Sequence, residues 1–114
     1  MKKIANALAL SAALMAGAAY AGPMDYAYEN TVVVTYPNGV AAHYHFNADG
    51  TFHAITPSGD VTGTYELAGD QICLTPTGGQ RACTAAAPDK AVGDSWTQTA
   101  TDGSSITVSV EAGR

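Results

Sequence analysis

All three histidines of the chain, His43, His45 and His53, lie in the stretch His43 to Ile55, which reads HYHFNADGTFHAI. Neutral imidazole is a good ligand for divalent transition metals, with nitrogen about 2.0–2.1 Å from Zn²⁺. His43 and His45 are two residues apart, so on a strand they share one face, about 7 Å from each other. If the chain turns back at Ala48-Asp49-Gly50, His53 falls directly opposite His45, with Cβ atoms about 5 Å apart. Three imidazoles so placed can converge on one ion, zinc or copper being the natural candidates. An open fourth position would then support metal-assisted hydrolysis or hydration. Asp49 and Glu66 are the carboxylates expected within reach to orient such ligands. The same pattern also fits a solvated strand face, which the histidines share with Thr31, Asn47 and Thr51.

Other reactive side chains are read structurally. Cys73 and Cys83 are the only cysteines, and their spacing does not match a C-x-x-C redox motif. In an exported chain such a pair is expected to form a disulfide. Asp49, Asp60, Asp70 and Asp102 fall in expected turns, where a carboxylate bonds the local backbone. The chain holds no G-x-S-x-G, no phosphate loop and no free cysteine nucleophile. Ser104 and Ser105 have no expected base, and Trp96 is read as core. Enzymatic activity is therefore set behind binding.

The elements that position these residues are hairpins. Thr31 to Tyr36 is β-branched and aromatic, which suits a strand. Pro37-Asn38-Gly39, Ala48-Asp49-Gly50 and Thr101-Asp102-Gly103 are three loops of one form, with Gly at the position needing φ > 0. They pair Val32 with Tyr44, Val34 with Ala42, Tyr36 with Val40, Phe46 with Phe52, Tyr44 with Ala54, Gln98 with Ile106 and Trp96 with Val108. These apolar partners share one face, and a slip of one residue would turn them to water. At Pro57-Ser58-Gly59 a three-residue loop would expose Tyr65 and Leu67. A two- or four-residue connection is expected instead, with Phe52 opposite Tyr65 and Ala54 opposite Gly63, since burying two large side chains outweighs a turn preference. Gly69-Asp70 brings Leu67 to Ile72 and Tyr65 to Leu74. A turn centred on Gly78 sets Cys73 across from Cys83, and Ala85 to Gly93 is the longest loop. The fold class is all-β: an eight-stranded antiparallel meander, closed as a small up-and-down barrel or folded as a sandwich. With Trp96, Phe46, Phe52, Tyr44 and Tyr65 directed inward, a filled interior is expected. Tyr26 and Tyr28 belong to an entry segment that either packs back on the barrel or forms part of an interface.

Residues 1–21 read as a signal peptide. Lys2 and Lys3 precede an uncharged Ala/Leu-rich run, and Ala19-Tyr20-Ala21 offers small residues for cleavage before Gly22. Residues 22–114 then form one domain in the periplasm or outside a bacterial cell, with no membrane span once the leader is removed. That domain carries Arg81, Lys90 and Arg114 against ten acidic residues, a balance that repels phosphate backbones and argues against nucleic-acid binding.

The order Asn30-Thr31-Val32, Asp49-Gly50-Thr51, Gly63-Thr64-Tyr65, Ile72-Cys73-Leu74 and a second cysteine resembles a group of uncharacterised exported bacterial β-meander domains. Those read N-T-V, D-G-T, G-T-W/Y and L/I-C. The likeness spans Asn30 to Cys83 and rests on turns and core aromatics, so it implies fold and not activity. More loosely, the chain is similar to lipocalin-like barrels and to periplasmic lysozyme-inhibitor barrels in size and compartment. The function expected is a non-enzymatic exported module that binds a protein or a small molecule through one face or rim. Two alternatives stand beside it. One is a three-histidine metal protein for sequestration or metal-assisted hydrolysis. The other is a periplasmic inhibitor of a cationic cell-wall hydrolase.

Overall fold

Three of the turns are near copies of one another, and they set the register of most of the molecule. Tyr36 N donates to Val40 O at 2.8 Å, Asn47 N to Thr51 O at 2.9 Å, and Ala100 N to Ser104 O at 2.8 Å. In each, the loop glycine has a positive φ, 88° at Gly39, 90° at Gly50 and 89° at Gly103, a region that glycine enters without a Cβ penalty. A side chain then clasps the turn. Asn38 Oδ1 accepts from Val40 N, Asp49 Oδ1 from Thr51 N, and Asp102 Oδ1 from Ser104 N.

The computed structural model describes residues 22–114; the expected signal peptide, residues 1–21, lies outside them. The strands are β1 (Thr31–Thr35), β2 (Ala41–Phe46), β3 (Thr51–Thr56), β4 (Gly59–Ala68), β5 (Gln71–Pro76), β6 (Ala82–Ala85), β7 (Ser95–Thr99) and β8 (Ser105–Glu111). All neighbouring pairs are antiparallel, in the order β6-β5-β4-β3-β2-β1-β8-β7. The β1–β8 ladder, with Val32 opposite Val110 and Val34 opposite Val108, curls the meander into a nearly closed barrel.

Closure stops at one seam. β6 and β7 form no ladder with each other. Side chains hold them instead: Thr84 Oγ1 donates to Thr99 O at 2.8 Å, and Gln98 Nε2 donates to Ala85 O at 3.2 Å. The loop between them contains Pro88 and a left-handed Asp89, with φ 62°, so the tight hairpin that joins the other neighbours is absent here. The disulfide Cys73–Cys83 joins β5 to the edge strand β6 at directly opposed positions. By the chain-entropy model, closing so short a ring contributes about 2–3 kcal/mol.

The expected pairs hold in β1–β2, β2–β3, β4–β5, β5–β6 and β7–β8. The exception is β3–β4. Phe52 opposes Gly63 and Ala54 opposes Val61, through a two-residue turn that pairs Thr56 with Gly59. The inward parity is as expected, but the strand sits two residues from the expected position. Area alone missed two local terms. Thr56 Oγ1 accepts from Ser58 N and donates to Gly59 O, which clasps the short turn. Gly63 also provides a bare backbone over which the Phe52 ring lies: a Cβ there would be 2.8 Å from Phe52 Cε2. An aromatic covering a strand glycine is a recurrent device for pinning register. Leu67 and Val61 consequently sit at the ends of the barrel, 39% and 37% exposed, and Val40 is likewise exposed at its turn.

The core runs along the inner face through Val32, Phe46, Phe52, Ala54, Ile72, Ile106 and Val108. Met24 and Ala27, from the entry segment, complete it at one end.

Candidate functional site

Alternating up and down strands divides the turns between two ends. The β2–β3 and β4–β5 turns, the loop between β6 and β7, the entry segment and the residues after β8 are at one end. The β1–β2, β3–β4, β5–β6 and β7–β8 turns are at the other.

The first end is plugged. The entry segment is folded by successive turns, Ala27 N to Met24 O at 2.9 Å and Asn30 N to Ala27 O at 3.1 Å. It packs back on the barrel. Tyr28 OH lies 3.0 Å from Tyr65 OH, and Tyr65 OH donates to Asn47 O at 2.8 Å. Tyr26 meets the Trp96 ring edge-on at 6.3 Å. Arg114 closes the arrangement: its guanidinium donates to Asn30 O, Ala27 O, Phe46 O and Asn47 Oδ1. Burial and the adjacent Tyr28 hydroxyl push the Tyr65 phenol well above the usual range.

Among the described residues no segment packs across the second end, which leads into a cavity of about 390 Å³. Phe46, Phe52, Ile72 and Val108 form its buried walls, Leu74, Val34 and Trp96 line it further along, and Val61, Gln80 and Thr101 stand at the exposed rim. The expected filled interior is therefore corrected. Large rings do point inward, but alanines fill other inward positions, among them Ala54, Ala82 and Ala100, and their missing side chains leave the space. That alternation of aromatic and alanine along the strands is the signal that could have revealed it. The volume is within the usual range for small-molecule sites, about 300–1,000 Å³.

Of the polar side chains that line the cavity, Thr56, Thr84, Trp96 and Gln98 are engaged within the protein. Trp96 Nε1 donates to Gln98 Oε1 at 2.7 Å, and Gln98 Nε2 faces Thr84 Oγ1 and Ala85 O. Tyr26, Tyr36 and Tyr44 bring three phenols to the lining. Burial first, then the Tyr36 hydroxyl, push the Tyr44 phenol up to about 12.

The histidines occupy the outer face, with His45 across from His53 as the turn dictates. His43 faces Ile55 on one side and Val33 on the other. The His45 and His53 rings are 6.1 Å apart and nearly perpendicular. His53 Nε2 lies 3.0 Å from Asp60 Oδ2. Among the described residues, no group of three or more His, Cys, Asp or Glu side chains is arranged to hold a metal ion. Slight burial, then the charge of Arg114 and the two other imidazoles, hold His45 below the ordinary imidazole range. Asp60 was expected in a turn but lies on β4; the shift in the β3–β4 pairing carries it to His53, in place of Asp49 or Glu66. Asp49 bonds Thr51 at both N and Oγ1, and Asp102 does the same with Ser104; these bonds hold both carboxyls below the usual range. Glu66 faces Arg81 at 3.7 Å.

No protein-family model matches the chain, and no curated protein or solved structure matches it.

Proposed function

We propose that the protein is a binding barrel that takes one small apolar molecule into its interior through the uncovered end. The cavity carries this reading: its lining is dominated by aliphatic and aromatic side chains, and its opposite end is sealed by Arg114 and the entry segment. An apolar body moved from water to such walls gains about 25 cal/mol for each Å² buried. The Cys73–Cys83 bridge is consistent with an oxidising, extracytoplasmic setting, and we read residues 1–21 as the export signal that delivers the protein there.

The test uses residues 22–114 and the neutral dye 1-N-phenylnaphthylamine. Trp96 is the only tryptophan and lines the cavity, so energy transfer from it reports uptake. Saturable one-to-one binding is expected, together with a loss of at least tenfold in affinity when Ala82→Leu and Ala100→Leu fill the space. A folded protein that transfers no energy to the dye at 100 μM ends the reading.

A further inference from the structure

We propose that the cavity selects an uncharged ligand, an apolar body ending in a single hydroxyl or carbonyl group that docks on the phenols of its wall, Tyr26, Tyr36 and Tyr44. The inference rests on the binding function proposed above and narrows it to a chemical class.

The charge argument comes from the lining. Among the described residues, none of those that face the cavity is Asp, Glu, Lys, Arg or His. A lone carboxylate or ammonium carried inside would lose its water and meet no counter-charge, at a cost of several kcal/mol. The two cations nearest the plugged end are already engaged. Lys90 Nζ lies 4.8 Å from the centre of the Trp96 ring, and Arg114 is held by carbonyls of Ala27, Asn30 and Phe46. Neither lines the cavity.

The polar end follows from what is left over. Gln98 and Thr84 are committed to the β6–β7 seam, and Thr56 Oγ1 is committed to its own turn. Gln80 and Thr101 are at the exposed rim, where water serves them. The phenols of Tyr26, Tyr36 and Tyr44 remain on the cavity wall, and a phenol O–H can donate to a ligand oxygen. The raised Tyr44 phenol keeps that proton throughout the neutral range. A ligand hydroxyl or carbonyl accepts it, whereas a purely aliphatic molecule leaves it unpaired. At the packing density of a protein interior, about 0.74, the cavity suits a body of on the order of fifteen non-hydrogen atoms.

Three probes with the same ten-carbon chain separate the possibilities: 1-decanol, decanoate and decylammonium. Each is titrated by calorimetry, and by displacement of the naphthylamine, into residues 22–114 at pH 7.5. Decanol is expected to bind at least tenfold more tightly than either ion. The Tyr26→Phe/Tyr36→Phe/Tyr44→Phe triple variant is expected to weaken decanol at least threefold while leaving the naphthylamine unchanged. Equal or tighter binding of an ion, or undiminished decanol affinity in the triple variant, overturns the inference while the binding function stands. If the naphthylamine does not bind, the binding function itself fails.

Discussion

At the plugged end, backbone carbonyls left over by the strands meet donors from distant parts of the chain. Arg114 bonds Ala27, Asn30 and Phe46, Thr31 Oγ1 bonds Gly113 O, and Tyr65 bonds Asn47. At the uncovered end the bonds that clasp the turns are local, apart from Thr77 N, which donates to Thr62 O on β4 at 2.8 Å. Asn38 serves Val40, Thr56 serves Gly59, and Asp102 serves Ser104. Long-range bonds bind separate elements into one unit, whereas local ones leave each hairpin independent of its neighbours. The difference explains how one barrel can be tight at its floor and accessible at its mouth. Loss of a side-chain contact should therefore cost more at the floor than at the mouth or on the outer face.

The sharpest break is expected at Gly63→Ala. Here the glycine is needed for space, since the added Cβ would collide with Thr75 O and come within 2.8 Å of Phe52 Cε2 and Pro76 Cα. Two of those atoms are backbone and cannot swing aside, so a loss of about 3 kcal/mol is expected. That is a large share of the stability of a small domain. Urea midpoints for the wild type and the variant measure it; a change below about 1 kcal/mol would mean that Phe52 and β4 are free to separate.

Alkaline unfolding probes the wall between the two ends. The Tyr44 phenol is held up to about 12 in the folded protein, against about 10 when unfolded. The fold thus favours the neutral form. The corresponding stability is fully present below pH 10 and is lost as pH rises toward 12, about 2 kcal/mol in all. Tyr44→Phe should flatten the stability profile between pH 10 and 12 relative to the wild type. A profile of unchanged slope would place that phenol in water.

Arg114→Ala should cost about 1–2 kcal/mol, because several carbonyls lose a charged donor at once. Gln80→Ala, at the mouth, should change stability by less than about 0.5 kcal/mol. Hydrogen exchange adds a spatial readout: Ala27 and Asn30 amides should exchange faster in the Arg114 variant, with Val40 unaffected. Equal effects of the two substitutions would abolish the distinction between the ends.

The sequence makes the inner face legible wherever a turn announces its own length. The three glycine loops carry their clasping residue one place before the glycine, and with loop length known, face and register follow by counting. Cys73 and Cys83 fall opposite each other for the same reason. The β3–β4 pairing was not legible, because its deciding contact is a ring over a glycine eleven residues away, and apolar area ranks Gly63 as nothing. Nor was Arg114, whose acceptors are carbonyls and leave no mark on side-chain pattern. The cavity was half legible: inward positions could be counted, but the room left by Ala54, Ala82 and Ala100 depends on how far the sheet curls before β6 meets β7. On the outer face, the facing of His45 and His53 can be counted from the Gly50 loop, while the partner of His53 depends on the β3–β4 register.

The smallest effect is expected at that outer face. His53 and Asp60 are 39% and 61% exposed at their side chains, so water and salt screen the pair, and Asp60→Asn should change stability by less than about 0.5 kcal/mol. The same pair bears on the histidine metal site. A Zn²⁺ ion recruiting His53 through Nε2 must displace Asp60 or share it, and must also turn the perpendicular His45 ring. Both rearrangements oppose binding, so zinc titrated into residues 22–114 at pH 7.5 is expected to bind no more tightly than about 10 μM. Asp60→Asn distinguishes the two routes: it would strengthen zinc binding if the carboxylate only blocks His53, and weaken it if the carboxylate is a ligand. Affinity well below 1 μM that disappears with His45→Ala would reverse the ranking of the two faces, because the outer histidines would then be a specific site built on a surface that contributes almost nothing to stability.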